Sequence, residues 1–84
     1  MPYIQEDERT DLKWAIDDLE KGIDTAGKLN YVITCICLGY IYIKGEKYQH
    51  WNDVMGVLEC SKQEMYRRFV APYENKKIEE NGDL

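Results

Sequence analysis

Apolar positions first recur at helical spacing between Asp11 and Ile23: Leu12, Ile16, Leu19 and Ile23 stand at i, i+4, i+7 and i+11, one stripe of a helix. Asp17, Asp18, Glu20 and Lys21 fill the opposite face. A first helix is therefore predicted over 11–23, behind an N-terminal arm of 1–10. The arm's Glu6, Asp7 and Glu8 suit the positive end of the helix dipole. Gly22 and Gly27 bracket a turn. The next stretch, 28–44, is apolar almost all round. Leu29, Ile33, Ile36, Tyr40 and Ile43 make a 4-3-4-3 stripe, and Val32, Cys35 and Ile41 occupy other faces. Its β-branched content suits a strand, but strands usually run 4 to 8 residues, so length favours a helix. A helix apolar on every side needs protein around it, which predicts a buried core helix and self-association.

The link KGEKYQH (44–50) is polar, with Gly45 as the stop, and places His50 in an exposed loop. Asn52 or Asp53 is the expected N-cap of a third helix over 52–70, with Val54, Leu58, Ser61, Met65 and Arg68 or Phe69 on its stripe. Ala71 precedes Pro72 and is biased away from helical angles, so a break or kink is expected there. Pro72 opens a short fourth helix over 72–80, ended by Asn81-Gly82. The fold class expected is all-α: one domain over 1–84, a small bundle of three main helices plus a short C-terminal one, assembled as a homo-oligomer.

Composition sharpens this picture. The 84 residues are 44% hydrophobic, and a domain this short buries only about 60% of its unfolded surface. Apolar surface shared between subunits answers that shortfall. Ten aromatics argue against a disordered acidic tail, and a net charge of −5 against a nucleic-acid binder working by bulk charge. The opening MPYIQEDERTDL lacks a basic n-region and an apolar stretch, so it does not read as a signal peptide. Leu29–Ile43 would reach about 22 Å as a helix, short of the roughly 30 Å hydrocarbon core, so no membrane span is expected. Three thiols without an export signal suggest a reducing cytoplasm.

Catalytic chemistry is not indicated. His50, the single histidine, has no metal ligand near it in sequence, and Cys35 and Cys37, two residues apart on a helix, point apart. Cys35, Cys37 and Cys60 read as core thiols, and a distant Cys–His50 nucleophilic pair has no local support. Ser61 lies on a helical stripe without a nucleophile elbow, and the glycines form no phosphate loop. Neither a metal nor a cofactor is expected.

Charge is unevenly placed. Residues 1–27 hold eight acids against three bases, whereas Met65–Lys77 holds four bases against one acid. That second stretch interleaves Arg67, Arg68, Lys76 and Lys77 with Tyr66, Phe69 and Tyr73. Arginine forks suit phosphates and tyrosine faces suit nucleobases, so the set fits a small anionic, nucleotide-like ligand. Asn30, Tyr31 and Thr34 add polar groups on the second helix. The structural alternative is that the arginines pair with acids of a neighbouring helix and Tyr66 is core.

LNYVIT (29–34), GVLEC (56–60), YRR (66–68), APYE (71–74) and KKIEENGD (76–83), with the opening MPYI, resemble a family of short uncharacterised proteins from phages and bacteria, a domain of unknown function. Trp14 and the Cys35/Cys37 pair fall outside that pattern. The resemblance brings no catalytic residue and implies a phage or prophage setting. Phages encode short oligomeric proteins that sequester nucleotide-derived immune signals, often between subunits. The expectation is therefore a non-enzymatic, cytoplasmic homo-oligomer that sequesters such a signal. A module binding a host protein through its acidic first helix, or a purely structural helical oligomer, is the alternative.

Overall fold

In the computed structural model, residues 4–84 are described, and among them every regular element is helical. Met1–Tyr3, which include most of the MPYI motif and the start of the expected arm, lie outside the described residues. The elements are α1 (Glu6–Glu20), α2 (Ala26–Lys44), α3 (Tyr48–Met65), a π-helical turn (Tyr66–Val70) and α4 (Ala71–Asn81). The chain divides into two units, Met1–Leu38 and Gly39–Leu84.

In the first unit, α1 begins at Glu6, so most of the expected arm is helix. Its apolar stripe starts only at Leu12, and the first turn is held by polar groups instead. The Gln5 amide donates to Glu8 Oε2 at 3.3 Å, a capping contact, and Glu6, Asp7 and Glu8 stand where the helix dipole favours acids. The helix unwinds into a turn at Lys21–Gly22, so Ile23 falls outside it. Thr25 then starts α2: its Oγ1 accepts the Lys28 amide at 3.1 Å.

The second unit holds the end of α2, a tight turn and one long helical run. Gly45 ends α2 as expected, at φ 94°, with its amide on the Ile41 carbonyl at 2.8 Å. The following helix starts at once, with Lys47 as N-cap rather than Asn52 or Asp53. His50 is consequently not an exposed loop residue. It lies in the first turn of α3, half-buried, with Nδ1 2.7 Å from the Gly45 carbonyl.

Of the break or kink expected at Ala71-Pro72, the structure shows no break but a local change of helical register just ahead of the proline. The chain stays helical from Tyr48 to Asn81 and accommodates the proline by switching register. Pro72 has no amide hydrogen, and in an α-helix its ring would press on the Arg68 carbonyl. The Ala71 amide reaches back five residues to the Tyr66 carbonyl, and this wider turn relieves the clash. Gly82, at φ 86°, ends α4 as the sequence implied.

Burial departs most from expectation. Ile41 and Val54 are the buried apolar residues among those described, at 7% and 5% exposure. α2 is not a buried core helix: Tyr42 is 90%, Ile43 81% and Ile36 61% exposed. Nor are the cysteines core thiols, since Cys35 and Cys60 are exposed and Cys37 is half-buried. By length and composition alone, α2 is also apolar enough to cross a membrane.

Candidate functional site

The basic-aromatic stretch occupies the π-turn and α4. Arg67 and Arg68 fall three and four residues after Glu64, within reach of its carboxylate on the same helix surface. Arg67 Nη2 lies 3.3 Å from Glu64 Oε2, and Arg68 Nη1 lies 3.1 Å from Oε1. The acid they meet belongs to their own helical run, not to a neighbouring helix. Each arginine holds one oxygen of a single carboxylate, an arrangement a phosphate can also accept. Arg68 also stacks on Phe69 at 5.3 Å, and Lys77 on Tyr73 at 5.5 Å.

Tyr66 is exposed rather than core. The Glu74 carboxylate, as hydrogen-bond acceptor and as a negative charge, pushes its phenol above the usual range. Lys77 pairs with Glu80 at 3.2 Å, and Lys76 is exposed. Tyr73 and Lys77 line one open depression of about 450 Å³, together with Glu74, Ile78 and Asp83. Its walls carry two acids beside one lysine, so within one chain it attracts a phosphate weakly.

Asn30 and Tyr31 lie on the part of α2 that belongs to the first unit. The Asn30 carbonyl accepts the Thr34 hydroxyl at 2.9 Å, and Tyr31 is exposed. A side-chain hydrogen bond with Cys35, followed by its charge, raises the Tyr31 phenol. These groups stay within one helix.

A second cluster was not anticipated from the sequence. At the turn between α2 and α3, Asp53 accepts Gln49 Nε2 at 2.7 Å and the Tyr40 hydroxyl at 3.4 Å. The Tyr40 and His50 rings meet edge to face at 6.4 Å, and Trp51 Nε1 donates to Glu46 at 3.3 Å. The available signals were the Gly45 stop and the four-residue spacing of Gln49 and Asp53. With Nδ1 of His50 held at a backbone carbonyl and Asp53 occupied twice, the cluster fixes the turn and presents no aligned nucleophile–base pair. No group of three or more metal-ligating side chains occurs among the described residues.

The family model described as Domain of unknown function (DUF6899) matches residues 1–84, and the chain belongs to that family. No curated protein and no solved structure matches it.

Proposed function

We propose that this chain is a non-catalytic binding subunit that works as a homo-oligomer, with α2 as its assembly element and 66–77 as its ligand-facing surface. The outward-facing apolar side chains of α2 carry the reading, because that much hydrophobic surface is unfavourable in water. A standard interface takes about 800 Å² from each partner, so a second copy has ample surface to cover. A lipid bilayer fits α2 less well. Asn30 and Thr34 lie within it, and the uncharged run between Lys28 and Lys44 spans about 22 Å against a core of about 30 Å.

The ligand class is a small phosphate-bearing aromatic molecule, typically a nucleotide-derived signal. Arg67 and Arg68 would exchange Glu64 for phosphate, with Lys76 or Lys77 beside them, and Tyr66 or Tyr73 would stack on the base. Assembly repeats these groups around a symmetry axis, giving a site larger than one exposed helix offers. In the phage setting implied by the resemblance, such a protein is a sponge that withholds a defence signal in the host cytoplasm.

Native mass measurement tests the assembly, and a thermal-shift panel of cyclic di- and trinucleotides and ADP-ribose isomers tests the ligand. A ligand at 100 times its Kd adds about 2.7 kcal/mol of stability. A strict monomer with no shift across the panel would sink the reading. A second reading rests on α1, where Trp14 is 80% exposed on an acidic helix. There the chain docks a host protein through α1, and stoichiometric capture of one such protein, lost in Trp14→Ala, would favour it.

A further inference from the structure

We infer that the ligand's base lies across Phe69 and Tyr73 while Arg68 and Lys77 each take a phosphate beside it. The molecule held is then a nucleoside phosphorylated on both sides of its sugar, as each unit of a cyclic dinucleotide is. This rests on the nucleotide-binding reading and names its ligand. Along the helical run from α3 into α4 the chemistry is ordered carboxylate, cation, ring, ring, cation, carboxylate: Glu64, Arg68, Phe69, Tyr73, Lys77, Glu80. Phe69 and Tyr73 stand four residues apart on one side of the helix, with about 5–6 Å between their Cβ atoms. Both are exposed. Each ring has a cation over it, Arg68 on Phe69 and Lys77 on Tyr73. Each cation also meets a carboxylate, Arg68 at 3.1 Å from Glu64 and Lys77 at 3.2 Å from Glu80.

A ligand of that kind replaces both partners of each cation together. Phosphate takes the place of the carboxylate, and the base takes the place of the cation on the ring. What is given up are exposed ion pairs and exposed cation–π contacts, both weak in water. What is gained is a charge-assisted contact at each end and a stack between them. A single phosphate gains less, because four acids balance four bases between Glu64 and Glu80 and no bulk field draws an anion there. The Tyr73 end already has a concavity, the open depression that Lys77 and Ile78 also line. Glu74 and Asp83 stand in its walls, so Lys77 alone holds phosphate weakly and the site needs Arg68 at its far end. Tyr66 has no cation described over its ring, and the charge beside its phenol is the Glu74 carboxylate. It is the poorer platform of the three.

Titration calorimetry of the full chain compares adenosine 3′,5′-bisphosphate with adenosine 5′-monophosphate and with pyrophosphate. The bisphosphate should bind about ten-fold more tightly than the monophosphate, and Arg68→Ala or Lys77→Ala should remove that advantage. Phe69→Ala should weaken the bisphosphate about five-fold or more, and Phe69→Trp should restore it. Tyr66→Ala should leave its affinity unchanged. Equal affinity for the two adenosine nucleotides, or a larger loss from Tyr66→Ala than from Phe69→Ala, would overturn this assignment and leave the nucleotide-binding reading standing. Pyrophosphate bound as tightly as the bisphosphate would overturn the role of the rings. If neither adenosine nucleotide binds, the assignment fails. A thermal shift with cyclic dinucleotides would then keep the wider reading, and no shift with any of them would end both.

Discussion

The turn joining α2 to α3 and the π-turn with α4 lie in the same unit and are both rich in polar side chains, yet they are held together differently. At the first, groups from the two sides of a turn meet: Tyr40 of α2 bonds Asp53 of α3, His50 of α3 meets the Gly45 carbonyl, and Ile41 and Val54 are the buried residues. At the second, the hydrogen bonds and ion pairs described for Arg67, Arg68, Tyr66 and Lys77 link residues within the same helical run. The first region is structural, because its polar groups are used up in fixing a turn. The second needs no such groups to stay helical, so its cations can change partner without loss of fold. Exposed cations whose described partners lie on the same helical run are what a binding surface needs.

The sharpest way to break this contrast is to empty the buried pair. Ile41→Ala and Val54→Ala should each cost about 2–4 kcal/mol by urea denaturation, a large share of a small domain's stability. Equivalent truncation of the exposed Phe69 should cost far less. Equal losses at both places would erase the distinction.

A smaller effect follows from the proline. Pro72→Ala restores the missing amide and removes the ring that the π-turn accommodates. Proline inside a helix costs about 3 kcal/mol, and the wider turn recovers part of it, so the variant should be stabilised by about 1 kcal/mol. Tyr66 and Glu74 stand on either side of the Ala71–Pro72 step, so returning the segment to α register should change the influence of the Glu74 carboxylate on the Tyr66 phenol. The raised Tyr66 titration, followed by ultraviolet absorbance, should then fall toward the ordinary phenol range.

Both regions should respond to alkali through raised phenols. For Tyr40 the chief cause is burial, followed by the charge and hydrogen bond of Asp53. A raised native pKa means the neutral phenol is favoured by folding. Its contribution is complete below the unfolded phenol's pKa, near 10, and is lost as pH rises through the higher native value. Tyr40→Phe should therefore flatten the alkaline fall in Tm while leaving the acid side unchanged. An unaltered alkaline limb would show that Tyr40 contributes nothing to the turn.

How these regions differ explains what could be read in advance. The all-helical class, the stop at Gly45 and the end at Gly82 follow from local signals that the chain carries at those residues. The early start of α1 was hidden because its first turn is capped by polar groups and lacks an apolar stripe. The helix through Pro72 was hidden because local rules describe the α register, and the π-turn is a change of register. Arg67 and Arg68 were legible as a basic pair, and Glu64 was within sight of them at i−3 and i−4 on the helix expected over 52–70, although the structural alternative looked to an acid of a neighbouring helix. The Tyr40–His50–Asp53 cluster depends on a turn geometry that no single window of sequence contains.

The smallest effect on folding is also the most useful. Arg67→Ala and Arg68→Ala each remove one exposed ion pair, and exposed pairs contribute little because water and salt screen them. Neither should move Tm beyond experimental error, singly or together. If the pair binds phosphate, however, the double variant should lose the ligand-induced rise in Tm that the parent shows in the nucleotide panel. Glu64→Gln should strengthen that rise, because it takes away the carboxylate the ligand must displace. A binding defect that appeared only alongside a lowered basal Tm would assign the arginines to the fold. Loss of binding at unchanged Tm would assign them to the ligand, since nothing else in the molecule would have moved.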